Sequence, residues 1–274
     1  MTLLVSVGIL SLLISVQASF KKGTAAYPGN LLCDDFKVLN NMSWWYDWHQ
    51  DMDFFYEKVG KVCDHSNGWP VPPHIPMLKK YNNHTQLHIQ TWGPYVLGFN
   101  EPNHKDQADM TPQEAADAWP LLEQNSHGAK LVSPTTAGAA FWWYDAFFKL
   151  CHGCRIDFIA AHMYNCDANA IMSYLQKLYH RYNKKIWLTE FACPHSTDEN
   201  QQLNLMKNLL PQLEAAPFVY RYSWFSARIK RVFGDGFVTP AASLLHQNTS
   251  TLTMIGQYYN NFQPGHGHHP HVVG

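Results

Sequence analysis

The sequence predicts an α/β protein folded as a single (β/α)8 barrel of the TIM type, and two observations lead to this prediction. Eight short runs of apolar, β-branched or aromatic residues recur along the chain, separated by loops or helical patterns. Several of these runs are apolar almost throughout, which is typical of parallel strands buried on both faces by helices. Eight such units in the 256 residues that follow an 18-residue leader (274 − 18) suit a barrel. A doubly wound sheet is the alternative fold.

The predicted strands are bounded by loop residues and are spaced along nearly the whole chain. The early intervals between them are shorter and less helical than the later ones, so several early connections are expected to be loops. The eight predicted strands are residues 23–27, 42–48, 74–79, 95–101, 130–134, 156–164, 185–191 and 218–225.

The later intervals carry helix signals. Thr111 is a capping residue, and Glu114 completes a capping box around a proline at the first helical position. Residues 167–183 have apolar side chains at helical spacing, and a second box at 196–199 predicts the start of another helix. Prolines inside a helical pattern are expected to kink or end the helix. The two such prolines are Pro120 and Pro211.

The two ends of the chain differ from the barrel region. Residues 2–16 are almost wholly apolar, and small residues stand at the two positions that a signal peptidase reads, so 1–18 is predicted to be a signal peptide. A membrane anchor is the alternative, but the run is short for a bilayer. Residues 19–262 are predicted to form the barrel, and the His-rich residues 263–274 a flexible tail, with metal binding as the alternative. The mature protein is expected to be soluble and secreted, without a membrane partner.

Cysteines and glycosylation sequons agree with export. Six cysteines are an even number for an oxidising route, but they allow 15 pairings. The C-x-x-C pair Cys151 and Cys154 could be a redox or zinc site, although a disulfide is favoured because no second C-x-x-C is present. Three Asn-x-Ser/Thr sequons begin at Asn41, Asn83 and Asn248.

Composition limits the partners. Lys and Arg number 20 and Asp and Glu 21, giving a net charge of −1, which argues against a nucleic-acid partner. The chain has no G-x-G-x-x-G or phosphate loop and no required cofactor or metal is predicted. Aromatic residues make up 14%, with 10 Trp and 14 Tyr, and such side chains stack on flat ligand faces, including those of sugars. A monomer that binds a polysaccharide is expected.

Two glutamates end predicted strands. Glu101 ends the fourth, where Pro102 stops the strand, and Glu190 ends the seventh. The C-terminal ends of barrel strands surround one mouth, so both carboxyl groups are expected to face it. Two facing carboxyl groups, one neutral and one ionised, suit cleavage of a glycosidic bond. Pairing with an arginine or capping of a helix is the structural alternative for either residue alone.

These strings resemble a known family. Asn100-Glu101-Pro102 and Glu190 are similar to clan A glycoside hydrolases. The longer strings 97–103, 162–164 and 187–191, with the cluster 43–48, resemble glycoside hydrolase family 128. The resemblance covers about 22–262 and implies a compact (β/α)8 barrel that cleaves β-1,3-glucan with retention of configuration. The cysteines, the sequons and the His-rich tail are not part of that family pattern.

The resemblance implies roles for individual residues. Glu101 would be the general acid and then the base, and Glu190 the nucleophile. Asn100 would bind the sugar 2-hydroxyl, and Tyr164 would donate a hydrogen bond to Glu190. His162 shares a strand face with Tyr164 and would contact sugar or be a hydrogen-bonded barrel histidine.

Several tryptophans are candidates for sugar binding, with core packing as the alternative. Trp44 and Trp224 are expected to stack on sugar, and Trp45 is a further substrate-binding candidate. Trp142 and Trp143 line a subsite or anchor a helix. A glycan on Asn41, close to the 43–48 cluster, is expected to crowd the cleft.

The sequence therefore predicts a secreted retaining hydrolase of β-1,3-glucan, with endo action favoured and a carboxyl separation of about 5 to 5.5 Å. Two alternatives remain at this point. One is a glucan-binding protein on the same barrel without turnover. The other is a clan A hydrolase of a β-1,4-linked polysaccharide.

Overall fold

The structure is a computed structural model that describes residues 19–64, 70–91, 93–232 and 235–264. The predicted signal peptide (1–18) and the tail from residue 265 onwards lie outside the described residues. Within the described chain, no helix has the length and apolar character that crossing a bilayer requires. The strands and helices are β1 (Lys22–Ala25), α1 (Asp35–Val38), β2 (Trp44–Tyr46), α2 (Asp53–Phe55), β3 (Tyr95–Leu97), α3 (Pro112–Asn125), β4 (Lys130–Val132), α4 (Phe141–Leu150), β5 (Ile159–His162), α5 (Ala168–Tyr182), β6 (Ile186–Glu190), α6 (Glu199–Ala215), β7 (Val219–Phe225) and α7 (Met254–Asn261).

Parallel pairing runs around one interior. Five strands form a sheet in the order β2-β1-β7-β6-β5, and β3 pairs with β4. The segment at 74–77 bridges β2 to β3, and an isolated bridge between Val132 and Phe158, with backbone hydrogen bonds beside it, joins β4 to the start of β5. Eight extended segments therefore enclose the interior, and the predicted (β/α)8 barrel is confirmed.

The third predicted strand, 74–79, forms isolated bridges instead of a ladder. Pro73 and Pro76 have no N–H, so this segment cannot donate a hydrogen bond at those positions. It is still held on both sides, because the Ile75 N–H donates to the Trp45 carbonyl and the Pro76 carbonyl accepts from the Leu97 N–H, both at 2.9 Å. The prolines weaken the pairing here without opening the barrel.

The helix signals are mostly confirmed. Thr111 and Glu114 form both hydrogen bonds of the capping box that starts α3. Helix α6 begins instead at Glu199, because the short Asp198 side chain caps it by accepting from the Asn200 N–H at 2.9 Å, so the predicted box at 196–199 is wrong. Two prolines lie inside continuous helices and end neither of them, Pro120 in α3 and Pro211 in α6.

Aromatic side chains fill the lower barrel interior. There Trp187 packs edge to face against Trp44 and against Tyr95, and the ring centroids of each pair are 5.0 Å apart. The Arg221 guanidinium lies over these rings, 4.8 Å from the Tyr95 centroid and 4.9 Å from that of Trp187. This filling leaves open space only toward the C-terminal ends of the strands, where a site can form.

Two consecutive lysines tie strand β1 to the ends of two helices. The buried Lys22 ammonium donates to three carbonyls at the end of α7, and Lys21 does the same at the end of α6. Burial lowers the pKa of Lys22 to about 8, so the group remains largely protonated at neutral pH. Cations at helix C-termini satisfy carbonyls that have no partner within the helix.

All six cysteines are paired, as Cys33–Cys63, Cys151–Cys154 and Cys166–Cys193. The C-x-x-C motif is therefore a disulfide, as favoured, and not a zinc site. Disulfides form and persist in an oxidising compartment.

Candidate active site

A cleft of about 1210 Å³ opens at the C-terminal ends of the strands. Its floor carries Asn100, Glu101 and Glu190, and its walls come from the loops that follow the strands. The mouth of a (β/α)8 barrel is where active sites of this fold lie. The position matches the expectation that both strand-ending glutamates face one opening.

Glu101 is held in an unusual backbone conformation. Its φ is +46°, in the left-handed region that non-glycine residues seldom adopt, and its N–H donates to the Thr135 carbonyl at 2.7 Å. Gly98 allows β3 to approach β4 before this turn, because a Cβ there would lie 2.9 Å from the Val132 carbonyl oxygen. The backbone therefore turns the Glu101 side chain into the cleft.

Glu190 is only 5% exposed and accepts three hydrogen bonds. The Tyr46 hydroxyl and the Trp48 indole N–H each donate to Oε1 at 3.1 Å, and the Tyr164 hydroxyl donates to Oε2 at 2.6 Å. Burial, followed by the charge of Glu190, raises the pKa of both tyrosines well above the usual value, so they stay protonated as donors. Three fixed donors aim and stabilise a negative charge on this carboxylate.

His162 lies between the two glutamates. Its Nδ1 is 2.8 Å from Glu101 Oε1, and its Nε2 is 3.5 Å from Glu190 Oε1. One oxygen of each carboxylate and one ring nitrogen all lie within 4.8 Å of one another. This limit on one oxygen of each group lies slightly below the 5 to 5.5 Å predicted for the carboxyl separation of retaining enzymes and well below the 6.5 to 9.5 Å of inverting ones. The same three groups are close enough to ligate one metal ion.

The two carboxyl groups titrate differently in the free site. Burial raises the pKa of Glu190, with the charge of Glu101 adding to it and the charge of His162 opposing it. Burial alone would also raise the pKa of Glu101, but the hydrogen bond from His162 and its charge outweigh this and hold the pKa below the usual value. Environment therefore separates the two groups, but in the free site it favours an ionised Glu101 and a protonated Glu190, the reverse of the predicted roles. The reactive form is the one in which the proton shared by the pair is on Glu101, beside His162.

Asn100 is 2% exposed and lies in the cleft wall beside Glu101. Its Nδ2 donates to Gln107 Oε1 at 3.3 Å, while its Oδ1 has no partner among the described residues. A buried, unpaired carbonyl oxygen that faces a cleft can accept a hydrogen bond from a ligand hydroxyl.

The tryptophans expected to bind sugar lie elsewhere. Trp44 points into the barrel floor, while Trp45 and Trp224 point outward against the helices, and all three are fully buried. Their predicted contact with sugar is therefore wrong, because a ring enclosed by the core has no free face. Trp143 is likewise in the core, and Trp142 is 65% exposed on α4 but is not among the residues that line the cleft.

Other aromatic residues line the cleft instead, and sequence analysis missed them as site residues. They are Tyr27, Trp48, Phe225 and Phe237. Alternation along the second strand could have found Trp48, because it lies two residues after Tyr46 on the same face. Phe225 lines the cleft and its neighbour Trp224 does not, because adjacent residues of a strand point to opposite faces. The Phe225–Ser226 peptide bond at this edge is cis.

The sequons are placed away from the glutamates. Asn83 and Asn248 lie in exposed turns, whereas Asn41 precedes β2 and is therefore at the N-terminal end of the barrel. The expectation that a glycan at Asn41 crowds the cleft is wrong, because the cleft is at the opposite end.

Comparison with known proteins agrees with this geometry. The family model described as "Glycosyl hydrolase catalytic core" matches residues 24–259. A family 128 (subgroup II) endo-β-1,3-glucanase from Sorangium cellulosum is 30% identical, with a TM-score of 0.73, over 90% of this chain and 100% of that one. The chain belongs to glycoside hydrolase family 128. The resemblance stated from the sequence strings is thereby confirmed.

Two further relatives broaden the comparison. A subgroup I endo-β-1,3-glucanase variant from Amycolatopsis mediterranei, in complex with laminarihexaose, is 26% identical, with a TM-score of 0.67, over 88% of this chain and 99% of that one. "Alkali-sensitive linkage protein 1" from Schizosaccharomyces pombe is 30% identical over 89% of this chain. The alignment covers 45% of that protein, so the chain spans about half the length of this curated relative.

Proposed function

We propose that the protein is a secreted, retaining glycoside hydrolase that cleaves β-1,3-glucan by endo action. One observation carries the proposal: the carboxyl groups of Glu101 and Glu190 face each other, with oxygens within 4.8 Å, in a cleft large enough for several sugar units. This spacing leaves room for the anomeric carbon between them but not for an additional water on the opposite face.

In the proposed first step, Glu190 attacks the anomeric carbon as the nucleophile. Glu101 transfers its proton to the glycosidic oxygen, the bond to the leaving sugar breaks, and a covalent glycosyl–Glu190 ester forms. The donors Tyr46, Trp48 and Tyr164 keep the attacking carboxylate oriented. Because these donors are already in place before substrate binds, orientation adds little cost at the moment of reaction.

In the second step, Glu101 acts as the base. It removes a proton from water, the water oxygen attacks the anomeric carbon, and Glu190 leaves as a carboxylate. Two inversions at one carbon give net retention. Asn100 supports both steps in this proposal. Its unpaired Oδ1 accepts a hydrogen bond from the sugar 2-hydroxyl, and this hydrogen bond strengthens in the transition state.

The substrate class rests on the cleft lining and on the relatives. Trp48, Phe225 and Phe237 offer apolar ring surface on which sugar faces can pack. The family members from Sorangium cellulosum and Amycolatopsis mediterranei are described as endo-β-1,3-glucanases. We extend that substrate and endo action to this chain.

The proposed organisation is a cleaved signal peptide (1–18), one catalytic barrel (19–262) and a flexible tail (263–274). Three disulfides support passage through an oxidising compartment and hence secretion. We propose a monomer that uses no cofactor, because the two-carboxylate mechanism assigns every step to side chains of this chain.

A reducing-sugar assay tests the proposal. The protein is expected to release reducing sugar from laminarin, and Glu190→Gln, which keeps the shape but loses the nucleophile, is expected to lower kcat by about 10³-fold or more. The exposed Glu57→Gln serves as the matched control and is expected to retain full activity.

The same assay separates the two alternatives. Laminarin binding without turnover by the unmodified protein would make it a glucan-binding protein. Faster release from mannan or cellulose than from laminarin would assign a β-1,4-linked substrate. The presence of both Glu101 and Glu190 on opposite sides of one gap favours catalytic turnover over glucan binding alone.

A further inference from the structure

The Cys166–Cys193 disulfide lies directly behind two residues of the site. Cys166 follows Tyr164 by two residues in the loop after β5, and Cys193 follows Glu190 by three in the loop after β6. The other two disulfides join cysteines that lie outside both loops. This bond therefore links the nucleophile's strand to the strand of its shortest hydrogen-bond donor.

The ladder between these strands ends at the site, with His162 opposite Glu190. Strands β5 and β6 pair in register from Ile159 with Ile186, and the register shifts between Ala161 and His162. Among the described residues, the final backbone hydrogen bond between the two strands runs from the Met163 N–H to the Glu190 carbonyl at 3.0 Å. Beyond Met163 the two loops are joined by the disulfide and by the Tyr164–Glu190 hydrogen bond itself.

A buried glutamine side chain anchors one end of the disulfide. Gln202 of α6 is fully buried; its Oε1 accepts from the Cys193 N–H at 2.9 Å and its Nε2 donates to the Cys193 carbonyl at 2.7 Å. Cys193 is buried, whereas Cys166 lies in an exposed loop. The anchored side thus holds the exposed side in place.

We infer that the Cys166–Cys193 disulfide is a positioning element that holds the Tyr164 hydroxyl on the Glu190 carboxylate. The inference rests on the proposed function for its kinetic consequence. The Tyr164 hydroxyl is 2.6 Å from Oε2, and its ring makes edge contacts with Phe225 and Phe237 at the border of the core. Without this disulfide, the loop after β5 can move the Tyr164 hydroxyl by a fraction of an ångström or more, and displacements of this size slow catalysis.

A double serine variant, Cys166→Ser with Cys193→Ser, tests the inference. It is expected to lower kcat on laminarin by about 10- to 100-fold with a much smaller change in KM. Because the Tyr164 hydrogen bond lowers the pKa of Glu190, the limb of the pH profile that reports Glu190 is expected to move to higher pH. Cys33→Ser with Cys63→Ser is the matched control: its disulfide closes a similar length of chain, 30 against 27 residues, so it loses similar stability without these kinetic changes.

Tyr164→Phe identifies the route of the effect. In the Tyr164→Phe background, removal of Cys166–Cys193 is expected to change kcat by less than about twofold, because the hydroxyl that the disulfide positions is already absent. Independent, multiplicative losses in kcat would overturn the inference. So would a Cys166→Ser, Cys193→Ser variant with the wild-type pH profile.

Amide hydrogen exchange separates this inference from the proposed function. The amides at 163–167 are expected to exchange at least about tenfold faster in the double serine variant than in the wild type, and unchanged protection would overturn the inference even if no substrate were found. An inactive wild type would overturn the function alone. If the serine pair and a Cys166→Ala, Cys193→Ala pair both fail to fold while the Cys33, Cys63 control folds, the disulfide serves folding and not positioning.

Discussion

His162 is the residue on which the protonation of the site depends. It is fully buried, contacts Glu101 through Nδ1 and faces Glu190 through Nε2. Burial works against its charge, but the two glutamates outweigh burial and raise the pKa of His162. The three groups therefore share their protons as a unit, and their pH dependence belongs to the set rather than to one residue.

Replacement of His162 by phenylalanine is expected to move both limbs of the kcat/KM profile on laminarin to higher pH. The histidine lowers the pKa of Glu101, the general acid, so its removal raises that pKa. Its charge also lowers the pKa of Glu190, the nucleophile, so both ionisations of the pair, and with them both limbs of the profile, move to higher pH. We expect kcat to fall roughly tenfold because Glu101 loses an orienting bond.

The control for this profile is His180→Phe, which removes an exposed histidine from α5. It is expected to leave both limbs in place. A downward shift of either limb in the His162 variant would contradict the assignment of the two glutamates.

Sequence reasoning reached some of these residues and not others, for a physical reason. Glu101 and Glu190 could be found because a carboxylate that ends an apolar strand is conspicuous. Trp44 and Trp48 lie on the same, interior face of the strand, so height along the strand and not residue type decides that Trp48 reaches the cleft. Trp45 and Trp224 lie on the opposite face, because a shift of one residue along a strand exchanges the interior face for the outward face.

At the level of elements, the barrel depends on contacts that the hydrophobic pattern predicts unevenly. Helix α3 was predicted together with its cap, since local side-chain bonds determine where it begins, and α5 from the helical spacing of its apolar residues. The weak pairing at 74–77 was not predicted from the sequence, because neighbouring strands and not the local sequence hold this proline-rich segment in the barrel. Lys22 was also missed, because its partners are carbonyls more than 230 residues away in sequence.

Lys22→Met is expected to lower the free energy of unfolding by about 2–4 kcal/mol, because the variant leaves three carbonyls at the end of α7 without their donor. Urea denaturation followed by fluorescence measures this change. Lys37→Met, which removes an exposed lysine paired with Asp34, is the control and is expected to cost less than about 1 kcal/mol. Equal stabilities of the two variants would show that the Lys22 cap contributes little.

For the whole molecule, function follows from where the barrel is filled and where it is open. Trp44, Tyr95 and Trp187 close the lower interior, so the cleft forms at the upper rim, where β3 and β6 deliver their glutamates. The family and the barrel were predictable from short strings in a fixed order along nearly the whole chain. The cleft walls were not, because they combine loops that are distant in sequence.

The central claim is that Glu101 and Glu190 act across one gap in two successive displacements. Proton NMR of laminarioligosaccharide cleavage tests it most directly, because the anomeric signal of the newly formed reducing end is visible before mutarotation. Two inversions predict that the β-anomer accumulates first and the α-anomer follows only at the rate of mutarotation. An α-anomer that appears first would contradict the account, since it requires direct attack by water on the sugar.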